Sequence, residues 1–206
     1  MTRLILLPVA LLLFVFAGLV GVIRAGASDA HALDALIAPS EECPPQAQPC
    51  FMGLRPGVTS VAEAFRILET HPWVDEILPG TGSDSIGIYW TWSGQQPAYI
   101  DADRPGLLLR RNLTYITTIK FHTHLTYADV WLALGQPFRG YVFPQRSGMV
   151  HGVYYPAYAL HVVAFTACPA ELSDFWGVPV MIQFGDAYVA LNSNYMRIWG
   201  RYRTCL

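Results

Sequence analysis

Leu4 to Ile23 is a run of twenty residues without a charge, held between Arg3 and Arg24. Wound as a helix at about 1.5 Å per residue, such a run reaches about 30 Å, the thickness of a bilayer's hydrocarbon core. It has no polar face to turn toward water, so a membrane-targeting segment is expected rather than a buried core helix. The membrane is thus the first expected partner, through residues 4–23. Two outcomes stay open for residues 1–27. The run is longer than the apolar stretch of a cleaved signal peptide, which favours a retained signal anchor. Ala25-Gly26-Ala27 nevertheless has the small-x-small pattern of a cleavage site, and cleavage near Ala27 would leave a secreted protein. Arg3 and the α-amino group oppose Arg24 alone, a bias that places the body outside the cytoplasm. No lipobox is visible, because Cys43 lies far from the apolar run and follows Glu41-Glu42.

An exported chain meets an oxidising compartment, where an even set of cysteines reads as disulfides. The four are Cys43, Cys50, Cys168 and Cys205. Cys43 and Cys50 enclose a turn-forming stretch with three prolines, so they are expected to pair with each other and Cys168 with Cys205. Zinc is the rival reading, but no CxxC spacing occurs. Residues 28–49 show no sustained period and read as a tether, with the folded body starting near Cys50. From Ser28 onward there are 11 basic and 15 acidic residues, a formal charge of −4. Phosphate-backbone binding needs clustered positive charge, and Arg197, Arg201 and Arg203 are the nearest approach to a cluster, so no nucleic-acid partner is expected.

Two segments of the body share a pattern sixty-six residues apart. Ser60 precedes Val61, Ala64, Phe65 and Leu68, with Glu63 three residues on; Thr126 precedes Tyr127, Val130, Trp131 and Leu134, with Asp129 in the acidic position. Both read as short amphipathic helices opened by capping boxes. The first ends before His71-Pro72 and the second at Gly135-Gln136-Pro137. After the first helix, strand-like runs cover 73–78, 86–92 and 112–121. After the second they cover 138–143, 149–155, 158–165, 178–184 and 188–191. Short connections between them imply antiparallel pairing. The expected fold is α+β: an N-terminal transmembrane or signal helix, then two tandem α-then-β-meander units, 50–124 and 125–206, with their helices on one face of an antiparallel sheet.

Gly53-Leu54-Arg55-Pro56-Gly57-Val58-Thr59 leading into the first helix, and Leu134-Gly135-Gln136-Pro137 closing the second, resemble the "G-x-T, helix, L-G-x-P, strands" grammar of small extracytoplasmic domains. These are the domains related to the SmpA/OmlA outer-membrane lipoproteins and to the β-lactamase-inhibitor-protein fold. The resemblance spans about 140 residues. It implies a fold and an exterior location; it carries over neither an inhibitory surface nor an assembly role, and the missing lipobox departs from the lipoprotein pattern.

No catalytic or nucleotide-binding signature stands out. His122 and His124 are two apart at the end of a strand-like run, so they share a face and could chelate a metal if His151 or His161 supplied a third ligand. Asp101 and Asp103 sit in a turn and read as an Asx turn rather than a calcium loop. Gly80-Thr81-Gly82-Ser83 leads into a strand, not a helix, and so reads as a turn rather than a phosphate cradle. Asn112-Leu113-Thr114 fits a glycosylation sequon. Aromatics are the most suggestive surface signal: Tyr89, Trp90, Trp92 and Tyr99 in one unit, Tyr141, Tyr154, Tyr155 and Tyr158 in the other. Adjacent strand residues point to opposite faces, so some must lie on the sheet's open face. Tyr89, Trp90, Trp92, Tyr154 and Tyr155 form the candidate binding face. The expected function is non-enzymatic binding of another envelope protein or component, with no cofactor. A small metal-dependent hydrolase using His122 and His124 and a structural envelope spacer are the alternatives.

Overall fold

The computed structural model describes residues 12–18, 30–79, 87–110, 114–145, 148–167 and 172–185. Several expectations lie outside these residues: most of the apolar run, Ala25 to Ala27, the turn at 80–84, Asn112, Cys168, Cys205, the run 188–191 and the three C-terminal arginines. Residues 12–18 are helical and exposed. Among the described residues no helix is long and apolar enough to cross a membrane.

Eight strands form one antiparallel sheet beside a few helices. The chain runs through α1 (Ala30–Ile37), α2 (Val61–Thr70), β1 (Val74–Pro79), β2 (Gly87–Trp92), β3 (Gly106–Arg110) and β4 (Ile116–Thr126). It continues through α3 (Tyr127–Leu134), β5 (Arg139–Gln145), β6 (Gly148–Tyr155), β7 (Leu160–Ala167), α4 (Leu172–Gly177) and β8 (Pro179–Gly185). The order across the sheet is β1-β2-β3-β4-β8-β7-β6-β5. Two meanders therefore meet at the centre, where β4 lies against β8.

Local chemistry accounts for the helix starts. Ser60 Oγ accepts the backbone N–H of Glu63 at 3.2 Å. At α3 both halves of the capping box are made: Thr126 Oγ1 accepts the Asp129 N–H, and Asp129 Oδ2 accepts the Thr126 N–H at 2.7 Å. Gly135 follows α3 with φ of +74°, a conformation that disfavours a side chain, and its N–H donates to the Trp131 carbonyl.

Helices α1 to α4 all contribute to one core on a single side of the sheet, α1 packing chiefly on α3. Leu33 and Leu36 of α1, Val61, Ala64 and Leu68 of α2, Tyr127 and Val130 of α3 and Phe175 of α4 join a single core with Trp90, Phe121, Val162 and Ile182. Phe51 stacks on Phe121 with centroids 4.2 Å apart, and Trp92 meets Phe121 edge-on. Cys43 is bonded to Cys50, as their spacing suggested.

Four expectations need correction. Residues 28–49 are not a featureless tether: α1 lies within them, and Leu33 is 0 % exposed, so the packed body starts at least as early as Ala30. An eight-residue helix with two core leucines leaves too short a pattern for periodicity to register. β3 falls in a stretch between expected strands, because Leu107-Leu108-Leu109 carries apolar residues on both faces and shows no alternation. α4 interrupts what read as open chain before β8. Finally, β4 runs to Thr126, so His122 and His124 lie inside the strand and a unit boundary at 124/125 would cut it.

Candidate functional site

Strand parity decides which side chains face away from the helices. Along β4, Ile119, Phe121, Thr123 and Leu125 point into the core, leaving Lys120, His122 and His124 on the other face. The register carries this face across the sheet. Lys120 pairs with Gln183, Gln183 with His161, His161 with Tyr154 and Tyr154 with Arg139, a polar row. One row on, His122 pairs with Met181, Met181 with Val163, Val163 with Gly152 and Gly152 with Tyr141. In the next row Phe165 pairs with Val150 and Val150 with Phe143.

A cavity of about 640 Å³ is sunk into this face. Its floor includes Lys120, Met181 and Val163; Asp101 and Arg104 wall one side, Tyr141 and Phe143 the other. The first wall is tied down. The Asp101 N–H donates to the His122 carbonyl and the His124 N–H to the Tyr99 carbonyl. Trp92 Nε1–H donates from beneath to the Arg104 carbonyl at 2.9 Å. Asp101 Oδ1 accepts the Asp103 N–H, the Asx turn expected there. The second wall rests on a close approach. A Cβ on Gly152 would lie 2.0 Å from the Tyr141 ring, so only glycine lets that ring settle on its strand partner. Tyr141 in turn stacks on Phe143 at 5.7 Å.

The polar wall is preset. Arg104 Nη1 donates to His122 Nδ1 at 3.1 Å, and Arg104 Nε lies 3.4 Å from Asp101 Oδ2. His122 is thereby an acceptor at Nδ1, which leaves a neutral ring with a donor at Nε2. Burial, then the Arg104 charge, lower its pKa against the smaller opposing pull of Asp101. Burial also lowers the pKa of Lys120 and raises that of the Tyr141 phenol. Among the described residues no carboxylate lies within ion-pair reach of Lys120. A second cavity of about 340 Å³ lies by α1, the disulfide and Trp73; Tyr99 borders it, its pKa pushed up to about 12 by burial.

The expected site residues separate into two groups. His122 and His124 do share a face and a cavity, but His151 lies on the helix-covered face, 2 % exposed, with its ring edge-on to Phe175 at 5.0 Å. The sheet itself stands between His151 and the other two. Among the described residues no three His, Cys, Asp or Glu side chains are grouped to hold a metal ion. Of the aromatic face, Tyr89 and Tyr154 point away from the core, Tyr154 stacking on His161 at 4.4 Å. Trp90, Trp92 and Tyr155 point into the core, Trp90 at 0 % exposure, and so cannot contact a partner. Parity requires Tyr89 and Trp90 to oppose one another but does not say which is inside. Lys120, Gln183, Met181 and Phe143 escaped notice in the sequence. The available signal was Lys120, the single lysine of the chain, in alternation with two histidines.

These features define an α+β protein with a cavity on the sheet face turned away from the described helices α1 to α4. Comparison with known protein families, with curated proteins and with solved structures finds no match to this chain.

Proposed function

We propose that the protein is a non-enzymatic binding domain of the cell exterior, tethered to or released from the membrane, that takes an envelope component into the cavity on the sheet face turned away from the described helices. The observation carrying this reading is the cavity itself. Its volume falls within the roughly 300–1,000 Å³ of small-molecule sites, and it combines an apolar wall with a few convergent polar groups. The uncharged run 4–23 and the Cys43–Cys50 disulfide support the exterior location. We read the body as two tandem units, each a helix followed by four strands, α2 with β1 to β4 and α3 with β5 to β8. The element order and the central β4–β8 pairing support that reading, as does the resemblance to SmpA/OmlA and β-lactamase-inhibitor-protein domains.

Val163→Trp tests the proposal, because the indole would occupy the cavity floor without entering the core. Uptake of a neutral, solvent-sensitive apolar dye by the full chain is expected to fall about tenfold, with the far-ultraviolet circular dichroism unchanged. Equal dye uptake by variant and wild type would mean that the dye binds elsewhere, and the cavity would lose its assigned role.

A further inference from the structure

Building on the cavity as the binding site, we infer that its ligand is a carboxylate-headed amphiphile, the head against Lys120 and the chain running across the sheet to Phe143 and Phe165.

Charge is the first support. The exported part of the chain carries a formal −4 and uses arginine for every cation except one. That one, Lys120, stands half-buried on the cavity floor with no carboxylate to neutralise it among the described residues. Arg104 is already shared between Asp101 and His122. With His122 neutral, Lys120, Arg104 and Asp101 leave this end one positive charge in excess, the complement of a single negative one. A lysine suits the position, since its flexible stem lies along apolar surface while its ammonium stays a compact charge. The neutral N–H of His122, two residues along the same strand face, adds a donor for a second oxygen.

Polarity along the strands is the second support. Lys120 and Gln183 belong to the polar row, Met181 and Val163 to the next, and Phe165, Val150 and Phe143 to the one beyond. The first and third rows are four residues apart, about 13 Å at 3.3 Å per residue, a span suited to a medium acyl chain. The cavity is thus charged at one end and apolar at the other. A wholly polar ligand would leave Phe143 and Phe165 wet, and a wholly apolar one would bury Lys120 unpaired.

Because Lys120 is the only lysine, reductive methylation of the full chain with ¹³C-formaldehyde labels it and the terminal amine alone, keeping both charges. The labelled protein, held in nanodiscs with empty nanodiscs as the partition control, is titrated with decanoate, decanol and decyl phosphate. Decanoate is expected to shift the Lys120 methyl resonance saturably and raise the apparent pKa of that amine. Decanol should bind roughly tenfold or more weakly, the scale of one charge-assisted hydrogen bond, and leave the titration unmoved. In Lys120→Met, displacement of the apolar dye by decanoate should fall to the level of decanol. Equal affinity for decanoate and decanol would overturn the head-group assignment while leaving the cavity as an apolar site. Tighter binding of decyl phosphate would overturn the carboxylate in particular. Failure of all three to displace the dye would remove the cavity reading together with the inference.

Discussion

His151 is a residue whose burial has a readable consequence for pH. It is enclosed among Phe175 and core strands, and burial lowers its pKa to about 4. An unfolded chain would take up a proton near pH 6.5, so between there and about 4 the unfolded state binds more protons than the folded one. Stability therefore falls as the solution is acidified through that window, by about 3 kcal/mol for this group, with His122 adding in the same direction. Urea titrations at pH 7 and pH 4.5 should show the loss in the wild type and a much flatter dependence in His151→Gln. Coincident pH profiles would mean that the imidazole is not held neutral. At the neighbouring position, Gly152→Val should displace the Tyr141 ring, because an added Cβ has no room beneath it. Tyr141 is not part of the core, so a cost of about 1–3 kcal/mol from the crowding is expected, together with altered dye binding. Unchanged dye binding would show that Tyr141 does not shape the cavity.

At the scale of elements, the N-caps of α2 and α3 were legible because a cap depends on residues three apart in one turn, although the reciprocal half of the expected capping box forms only at α3, where Asp129 accepts the Thr126 N–H, and Ser60 caps α2 alone. Thr126→Ala removes both the side-chain acceptor for Asp129 and a hydroxyl bonded to its carboxylate, and is expected to cost about 1 kcal/mol by denaturant midpoint. α1 was not legible. Leu33 and Leu36 acquire meaning only from the core they enter, so Leu33→Ala should destabilise the protein by about 2–4 kcal/mol. A tether would tolerate the same change with no effect on the midpoint, and that result would remove α1 from the fold. β3 was not legible for a related reason: Leu107 and Leu109 pair with Lys120 and Thr118 on the face away from the helices, Leu108 points into the core, and a strand with leucines on both faces has no period to detect.

For the whole molecule, the sheet face turned away from the described helices matters most, and it is assembled from residues far apart in sequence. Lys120, Gln183 and His161 become neighbours only because β8 returns to lie between β4 and β7. The disulfide acts on the same scale, by limiting the unfolded chain. Opening the eight-residue Cys43–Cys50 loop with Cys43→Ser and Cys50→Ser should cost about 2.5 kcal/mol in the loop-entropy account, read from urea midpoints of oxidised protein. Local signals in the sequence determined the two capped helices, the antiparallel α+β class, the Cys43–Cys50 pairing and the shared face of His122 and His124. Each depends on contacts within a few residues or on the two-residue period of a strand. Which face the helices cover, which of Tyr89 and Trp90 lies inside, and the separation of His151 from His122 were decided by the tertiary structure alone. Register and layer order arise from packing between segments distant along the chain, and no local pattern encodes them.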